Sequence, residues 1–389
     1  MTQAIPFNKP HVAGREMFYM AQAVLGGHSS GDGPFTKQCH QFLEEKFQTK
    51  KALLTHSFAS ALDMAAMLCG VGPGDEVILP SFAYVSTANA FYMRGAKPVF
   101  VDIRPDTLNI DETKIEQAIT DRTKVIVASH YCGVGCDMET ICALAKKHGL
   151  LVVEDAGNGF ATRYGDSYLG TMGDLGTFSF HETSNIMCGE GGAILVNNAE
   201  LVEQAEIIWE KGTNRSKFYR GEVDKYTWVS LGSSFLPSDL IAAYLYAQLE
   251  NLDEIIGKRE RIFAAYYDGL EKLAHEGFIQ LPYVTENPGQ RSHFFYILLT
   301  DRQTRDGLID HLKHEGILAA IHFVPLHLSP MGKSLGYQEG DLPVTEDVSS
   351  RLVRLPFYYK IRDDEQKILM EKIIHFMINY IINHKFINK

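Results

Sequence analysis

Positive charge is scarce in this chain: among 389 residues, 37 lysines and arginines face 48 aspartates and glutamates, and the formal net charge is −11. No run rich in lysine or arginine stands out, which argues against a general nucleic-acid-binding protein. The acidic balance is still compatible with a small anionic ligand, because one local site needs only a few positive groups. No apolar run approaches the roughly 18 residues of a membrane-spanning helix, so we expect no membrane span.

Cysteine is also sparse, with six residues in the chain, and Cys132 and Cys136 do not have the spacing of a zinc site built from two cysteine pairs. We expect reduced, mostly buried thiols in a cytoplasmic protein. Residues 1–7 contain no basic stretch followed by an apolar core, so no signal peptide is predicted. The chain also lacks a His-Glu-x-x-His pattern, and we expect no metal site.

The first two thirds of the chain alternates short apolar runs with amphipathic stretches. Apolar runs such as 125–128 are typical of strands that are buried on both faces of a sheet. Strands that alternate with helices at this spacing imply right-handed crossovers, and therefore a mostly parallel sheet covered by helices on both sides. The predicted strands cover 51–54, 76–79, 97–101, 124–129, 150–154, 175–179 and 193–196, and the predicted helices cover 59–70, 87–94, 113–119 and 138–148.

From about Pro237 the pattern changes to longer helices. One helical stretch is predicted over 240–261 and continues towards residue 270; an extended segment at 294–299 and helices near 305–315 and 363–383 follow it. We therefore predict a large α/β domain of residues 1–250 and a small α+β domain of residues 251–389, packed closely together. The carboxyl ends of parallel strands are the usual ligand site in such folds.

Several motifs stand in one order over most of the chain. They are Gly31-Asp32-Gly33-Pro34-Phe35-Thr36, Pro80-Ser81-Phe82-Ala83-Tyr84-Val85, Val101-Asp102, Val153-Glu154-Asp155-Ala156, Gly189-Glu190-Gly191-Gly192, Lys211-Gly212-Thr213-Asn214-Arg215 and His322-Phe323-Val324-Pro325-Leu326-His327. In these motifs the chain resembles the DegT/DnrJ/EryC1/StrS family of nucleotide-sugar aminotransferases, which use pyridoxal phosphate. Within that family, the motifs are most similar to those of the transaminases that make dTDP-4-amino-4,6-dideoxygalactose.

The resemblance implies the type I fold of pyridoxal-phosphate-dependent aminotransferases: an α/β fold with a seven-stranded, mostly parallel sheet and a small C-terminal α+β domain. It also implies a homodimer with two sites at the interface. The implied ligand is a dTDP-linked 4-keto-6-deoxyhexose, used in O-antigen, lipopolysaccharide or related surface-glycan synthesis. The ordinary family reaction would move an amino group from glutamate to C4 of the sugar through pyridoxamine phosphate, with cofactor and sugar both bound by the large domain.

In the family, a lysine that forms the imine to the cofactor stands where this chain has Ser184. A hydroxyl cannot form an imine, and an unperturbed serine is no base near neutral pH. We therefore expect ordinary transamination to be lost, and pyridoxal phosphate or pyridoxamine phosphate to be held non-covalently if either binds. His181 belongs to the ordinary family pattern; His181, His130 or a lysine of a neighbouring subunit is a candidate for the missing base.

The resemblance assigns three residues to the ring of the cofactor. Asp155 would pair with the pyridine nitrogen, where a carboxylate keeps the ring protonated and able to accept electrons. Tyr84 matches the aromatic residue that stacks on the ring. Asn158 stands near the ring hydroxyl, at a position where relatives have Gln or His.

The phosphate would lie where Ser57, Phe58 and Ala59 open a helix, because a helix N-terminus offers free N–H groups and a favourable dipole. Ser179 resembles a serine of the family that also reaches the phosphate. Several departures from the family pattern fall in this one pocket, and their number indicates natural divergence: Phe58, Ala59, Gly157, Asn158 and Ser184.

Substrate contacts are implied for a further group of residues. The segments that contain Lys211 and Lys225 would approach the substrate or the subunit interface. The segment that contains His322 and His327 would close over the sugar. The group consists of Asp32, Lys211, Lys225, His322 and His327.

The sequence leaves three functions open. The first is an enzyme of nucleotide-sugar metabolism that uses pyridoxamine phosphate or a preformed aldimine without an anchoring lysine. The second is a catalytically inactive sugar-nucleotide-binding partner or regulator. The third is an enzyme of another class that reuses the sugar pocket without a pyridoxal cofactor. The sugar stereochemistry and the nucleotide base also stay open.

Overall fold

The computed structural model describes residues 4–287 and 289–387, and only the backbone of residue 291 and of residues 381–387. Nine strands lie in its first two hundred residues: β1 (Lys51–Thr55), β2 (Glu76–Pro80), β3 (Lys97–Val101), β4 (Thr123–Ser129), β5 (Leu151–Asp155), β6 (Arg163–Tyr164), β7 (Ser167–Tyr168), β8 (Leu175–Ser179) and β9 (Gly192–Val196). Seven of them form one sheet in the order β1-β9-β8-β5-β4-β2-β3. Strand β9 is antiparallel to both neighbours, and the other pairs are parallel.

The seven predicted strands are the seven strands of this sheet, and each end lies within one residue of its prediction. The apolar runs were informative because every residue of β2 and of β9 is buried. The hairpin of β6 and β7 was not predicted, since two-residue strands carry no periodicity.

Helices cover both faces of the sheet, as the crossovers require. In the large domain they are α1 (Glu16–Leu25), α2 (Pro34–Phe47), α3 (Phe58–Leu68), α4 (Val85–Tyr92), α5 (Ile115–Ala118), α6 (Met138–His148), α7 (Val202–Trp209) and α8 (Arg215–Tyr219). The helix predicted over 113–119 is smaller than expected: a 3-10 turn at Glu112–Lys114 leads into the single turn of α5. Within the described residues, no helix is long and apolar enough to cross a membrane.

The C-terminal part contains six helices and a small antiparallel pair of strands. They are α9 (Asp239–Leu249), α10 (Leu252–His275), β10 (Tyr296–Leu298), α11 (Arg302–His314), α12 (Pro330–Ser334), α13 (Pro343–Arg351), β11 (Leu352–Arg354) and α14 (Asp363–Ile387). The single helix predicted from residue 240 onwards is wrong, because the structure has two helices with a break at Glu250 and Asn251. The side chain of Asn251 donates to the carbonyl of Ala247 at 2.8 Å, a local bond that competes with helix continuation.

One hydrophobic cluster joins the two parts of the chain. Phe82, Ile103 and Tyr131 of the large domain belong to the same buried cluster as Tyr266 and Phe295 of the C-terminal part. The parts therefore pack closely, as expected. The domain boundary at residue 250 stays a prediction, although the break between α9 and α10 falls there.

Asp102 connects the two parts by capping a helix that is distant in sequence. It follows β3, is buried, and accepts hydrogen bonds from the N–H groups of Val344 and Thr345 and from the Thr345 hydroxyl, at 3.1, 2.8 and 2.8 Å. These N–H groups lie in the first turn of α13, where no intrahelical acceptor exists. The position of α13 is thereby fixed relative to the end of β3.

Asp102→Ala should lower the free energy of unfolding by about 2–3 kcal/mol, because it leaves buried donors at the start of α13 unpaired. Urea unfolding followed by circular dichroism measures the loss. Asp111→Ala is the matched control: Asp111 caps the short 3-10 turn before α5 and pairs with the partly exposed Lys114 at 3.4 Å, and its loss should cost about 1 kcal/mol or less. Equal losses in the two variants would contradict a special role for Asp102.

Candidate functional site

A cavity of about 570 Å³ lies at the carboxyl ends of β4, β5 and β8. The large domain contributes Ser129, Asp155 and Ser179 to its wall, one from the end of each strand. Parallel strands present their carboxyl ends at one edge of the sheet, which brings these side chains together. The C-terminal part closes the opposite side with His293, Phe294, His322, Phe323 and Arg354.

Asp155 is the buried acid of this cavity. Its Oδ2 accepts hydrogen bonds from the Thr87 hydroxyl at 2.7 Å and the Ser129 hydroxyl at 3.1 Å, and its Oδ1 accepts one from the Gly157 N–H at 3.3 Å. Burial raises the pKa of Asp155 above its ordinary value, and these three donors oppose the rise. A ligand group that carries a proton on nitrogen would be stabilised by this carboxylate.

Ser184 lies in a turn after β8 and lines the cavity. Its hydroxyl donates to the hydroxyl of Ser179 at 3.1 Å, and its N–H donates to the carbonyl of His181 at 2.8 Å. The imidazole of His181 is held by its own neighbours: Nδ1 accepts from the Thr183 N–H at 3.3 Å, and Nε2 lies 3.6 Å from Glu190. No lysine side chain lines the cavity in the part of the chain that the structure describes.

The N-terminus of α3 forms a second polar end of the cavity. Ser57 is its cap, and the Ser57 hydroxyl accepts a hydrogen bond from the Ser60 N–H at 3.1 Å. The N–H groups of Phe58 and Ala59 lie in the first turn, where helix geometry provides no acceptor. Neither has a hydrogen-bond acceptor among residues 4–287 and 289–387. These two groups are therefore available to an anion.

The space between the two polar ends is partly filled by the side chain of Phe58. A Cβ atom on Gly157 would lie 2.9 Å from Cζ of Phe58 and 3.4 Å from Oδ1 of Asp155. The tip of the phenyl ring therefore lies against Gly157, the residue whose N–H donates to the acid. The donors and the acid at the two ends fit the phosphate and the ring nitrogen of a pyridoxal group, and Phe58 occupies part of the space between them.

Other residues predicted from the resemblance also lie in this cavity. Tyr84 stands at the cap position of α4 with 53% of its surface exposed, and Asn158 lines the wall next to Gly157. His322 lines the opposite wall, where its Nδ1 lies 2.9 Å from the Tyr131 hydroxyl. Burial is the main reason why the pKa of His322 lies well below its ordinary value, so its imidazole is neutral.

His327 lies outside the cavity, and its predicted contact with substrate finds no support in the geometry. The imidazole is fully buried; Nδ1 lies 2.7 Å from the Ser81 hydroxyl, and Nε2 lies 3.0 Å from Glu346. Both nitrogens are thus engaged within the protein. His327 joins the segment after β2 to α13 and has a structural role here.

Asp32, Lys211 and Lys225 also lie outside the lining of the cavity. Lys211 pairs with the buried Glu210 at 2.9 Å. Burial raises the pKa of Asp32 above its ordinary value, and the neighbouring charges of Lys37, Glu210 and Arg215 modify it. Asp32 and Lys211 thus both lie near Glu210, and Lys225 is exposed.

Arg354 is a cavity residue that the sequence analysis missed. Its guanidinium lies over the ring of Phe294 at 4.0 Å and the ring of Phe7 at 5.1 Å. The Nε atom is buried and has no acceptor among the described residues, and burial lowers the pKa of the group. An unpaired buried donor costs free energy. The position of Arg354 directly after two apolar residues, at the end of β11, is the sequence feature that could have indicated a buried arginine.

The sequence model of the DegT/DnrJ/EryC1/StrS aminotransferase family matches residues 12–374. The chain belongs to this family. It is 34% identical over 378 residues to the spore coat polysaccharide biosynthesis protein SpsC of Bacillus subtilis, covering 95% of this chain and 96% of SpsC. It is also 34% identical over 346 residues to a pleiotropic regulatory protein of Geobacillus stearothermophilus, covering 88% and 90% of the two chains.

Among solved structures, a putative sugar aminotransferase of Streptococcus pneumoniae, Spr1654, in its PMP-form, superposes with a TM-score of 0.90. The sequences are 25% identical, and the match covers 98% of this chain and 100% of Spr1654. The fold is therefore the type I aminotransferase fold, as the resemblance implied.

Asp155→Asn should raise the melting temperature at pH 8 by a few degrees. A carboxyl group whose pKa is raised by burial binds its proton more tightly in the folded state, so its charge costs stability above that pKa. The gain should shrink as the pH falls through the raised pKa of Asp155, because the wild-type acid then becomes neutral. Differential scanning calorimetry across this range measures the difference between the two proteins.

Asp106→Asn serves as a control for which the opposite change in melting temperature is expected. The hydrogen bond from Arg104 lowers the pKa of Asp106, so its charge stabilises the folded state at high pH and the amide should lower the melting temperature there. A loss of stability at pH 8 in Asp155→Asn would contradict the predicted cost of the Asp155 charge.

Proposed function

We propose that this protein binds a nucleotide sugar in surface-polysaccharide synthesis and has lost ordinary multi-turnover transamination. The observation that carries the proposal is the contact of Ser184 with Ser179 in a cavity whose described wall contains no lysine. Without an amine there, no imine to the protein can form at this position. The name of the relative SpsC, a spore coat polysaccharide biosynthesis protein, supports the pathway.

The same cavity would hold pyridoxal phosphate or pyridoxamine phosphate without a covalent bond. Asp155 would accept the proton of the ring nitrogen, and the N–H groups of Phe58 and Ala59 with the Ser179 hydroxyl would bind the phosphate. Tyr84 would cover the ring. When bound, this group supplies a ring that accepts electrons from the reacting carbon. The PMP-form of Spr1654, a structural neighbour of this chain, supports the assignment.

The sugar ligand that we propose is a dTDP-linked 4-keto-6-deoxyhexose, and its support is the order of sequence motifs shared with the family. Neutral His322 and the unpaired Arg354 provide hydrogen-bond donors on the wall opposite Asp155. The N–H groups of a planar guanidinium can bind two oxygen atoms of a carboxylate or phosphate at once. A titration with dTDP, followed by calorimetry, tests this ligand; no heat at millimolar concentration would refute it.

A second candidate function is a sugar-nucleotide-binding regulator or partner subunit without catalysis. Two observations favour it: Phe58 fills part of the cavity next to Gly157, and one relative is named a pleiotropic regulatory protein. Binding of dTDP without uptake of either pyridoxal cofactor would favour this candidate over the first. We place both candidates in the cytoplasm, in keeping with six unpaired cysteines.

Purified protein should take up pyridoxamine phosphate without forming a borohydride-reducible imine with pyridoxal phosphate. Absorbance from about 300 to 450 nm, borohydride reduction and intact mass give the readout. Ser184→Lys is the matched control, since it restores an amine at the same position and should gain the reducible adduct. A reducible imine in the wild-type protein would show that another lysine enters the cavity and would refute the proposal.

Glutamate-dependent transamination should be lower than in an ordinary family enzyme by several orders of magnitude, since the described wall of the cavity contains no lysine to form the imine and move protons. A coupled assay of 2-oxoglutarate formation measures it. Robust turnover by the purified wild-type protein would contradict the proposed loss of this reaction.

We also propose a homodimer. Large apolar side chains are exposed in α1 and in the segment 218–231, with Leu25, Tyr219 and Trp228 exposed by 86, 67 and 78%. Exposed apolar surface of this extent is typical of an interaction surface. Asp32, Lys211 and Lys225 lie outside the cavity of their own subunit, which is compatible with a role at the site of the partner.

Sedimentation equilibrium should give twice the chain mass of 43.6 kDa. Trp228→Glu should weaken the dimer at least tenfold, because it places a charge in the apolar contact. Ile378→Glu, at an exposed position of α14 with 47% of its surface free, should leave the dimer unchanged. A monomeric wild-type protein at micromolar concentration would refute the proposal.

A further inference from the structure

Phe58 has an unusual position for an aromatic side chain. It is the first residue of α3, directly after the cap residue Ser57. Its ring is only partly buried against the core cluster of α3, and it also lines the cavity. The same residue thus places its N–H group at one polar end of the cavity and its ring in the space towards the other end.

The ring of Phe58 fits against Gly157 because that residue has no side chain. A Cβ atom at position 157 would lie 2.9 Å from Cζ and 3.1 Å from Cε2 of Phe58, closer than carbon atoms pack in proteins. The same Cβ would lie 3.4 Å from Oδ1 of Asp155. The phenyl tip and the carboxylate therefore both lie close to the point that a Cβ atom of residue 157 would occupy.

A flat ring that donates a proton to Asp155 must lie beside the backbone of Gly157. The phenyl group of Phe58 lines the same cavity, lies against Gly157 and offers the acid no polar donor. The phenyl ring and a ligand ring cannot both occupy this volume at van der Waals distances.

We propose that Phe58 determines which ligands enter the cavity: its ring competes with the ring of a pyridoxal or pyridoxamine ligand for the space over Gly157 beside Asp155. This inference rests on the proposed function, in which that ligand binds non-covalently. Binding then requires a rotation of the Phe58 side chain. The apparent dissociation constant then equals the intrinsic dissociation constant divided by the fraction of molecules in which the Phe58 ring has moved away. A ligand that uses only the opposite wall, near His322 and Arg354, does not meet this barrier.

Phe58→Ala should therefore bind pyridoxamine phosphate about tenfold or more tightly than the wild-type protein, since one tenth or less of the wild-type molecules would have the ring displaced. Fluorescence titration with pyridoxamine phosphate gives the dissociation constants. Phe323→Ala is the matched control, because it removes an aromatic ring that lines the cavity but does not lie against Gly157. It should bring no gain in affinity.

The close approach of the Phe58 ring to Gly157 can be tested independently by substitutions at both positions. Gly157→Ala places a methyl group against the phenyl ring and should lower the melting temperature. In the double variant Phe58→Ala with Gly157→Ala this clash is absent, so stability should recover and the tighter binding of pyridoxamine phosphate should remain. Additive effects of the two substitutions on the melting temperature would contradict contact between the Phe58 ring and position 157.

The outcomes separate this inference from the proposed function. Equal, measurable affinities of wild type and Phe58→Ala for pyridoxamine phosphate would overturn the role of Phe58 and leave the proposed function in place. Tight binding by Phe58→Ala alone would support the role of Phe58 and refute cofactor binding by the natural chain. Failure of every variant to bind would overturn both, and unchanged dTDP binding in Phe58→Ala shows that the variant is folded.

Discussion

Two consecutive carboxylates end β5, and the pleat of the strand directs them to opposite faces of the sheet. The fully buried Glu154 accepts hydrogen bonds from Nε2 of His130 at 2.9 Å and from the N–H groups of Gly170, Met172 and Gly173 at 2.8, 2.6 and 2.6 Å. Four donors balance the cost of burying one charge. Through them, the end of β5 is tied to the loop before β8 and to the segment after β4, and Asp155 is held towards the cavity.

This arrangement separates the groups that maintain the fold from those that would perform chemistry. Glu154 and Asp102 have buried, fully engaged carboxylates that connect distant segments. Ser184 lies in a turn and makes one side-chain contact, to Ser179. Exchange of a residue at such a position changes the chemistry of the cavity with little effect on the core. The fold of this chain therefore does not depend on which side chain stands at position 184.

The sequence allowed the central sheet to be predicted because burial of both faces produces continuous apolar runs. The resemblance to the family, and not the strand pattern, singled out many of the residues that line the cavity. The sequence did not reveal the break between α9 and α10, where the side chain of Asn251 donates a hydrogen bond to the carbonyl of Ala247. The surroundings of His327 and Arg354 could not be predicted from the sequence either. Both are surrounded by residues from other segments of the chain. Ser81 and Glu346 form hydrogen bonds with His327. Phe7 and Phe294 pack against Arg354, whose Nε has no acceptor among the described residues.

The hydrophobic cluster shared by both parts of the chain has a consequence for the interpretation of genetic variants. Phe82 and Tyr131 pack with Tyr266 and Phe295, so unfolding of either part would expose apolar surface of the other. The two parts should then lose their structure in one cooperative transition. A substitution deep in the C-terminal part can for this reason abolish ligand binding at the ends of β4 and β5 without touching the ligand, and only a direct measurement of folding distinguishes it from a defect of the cavity itself.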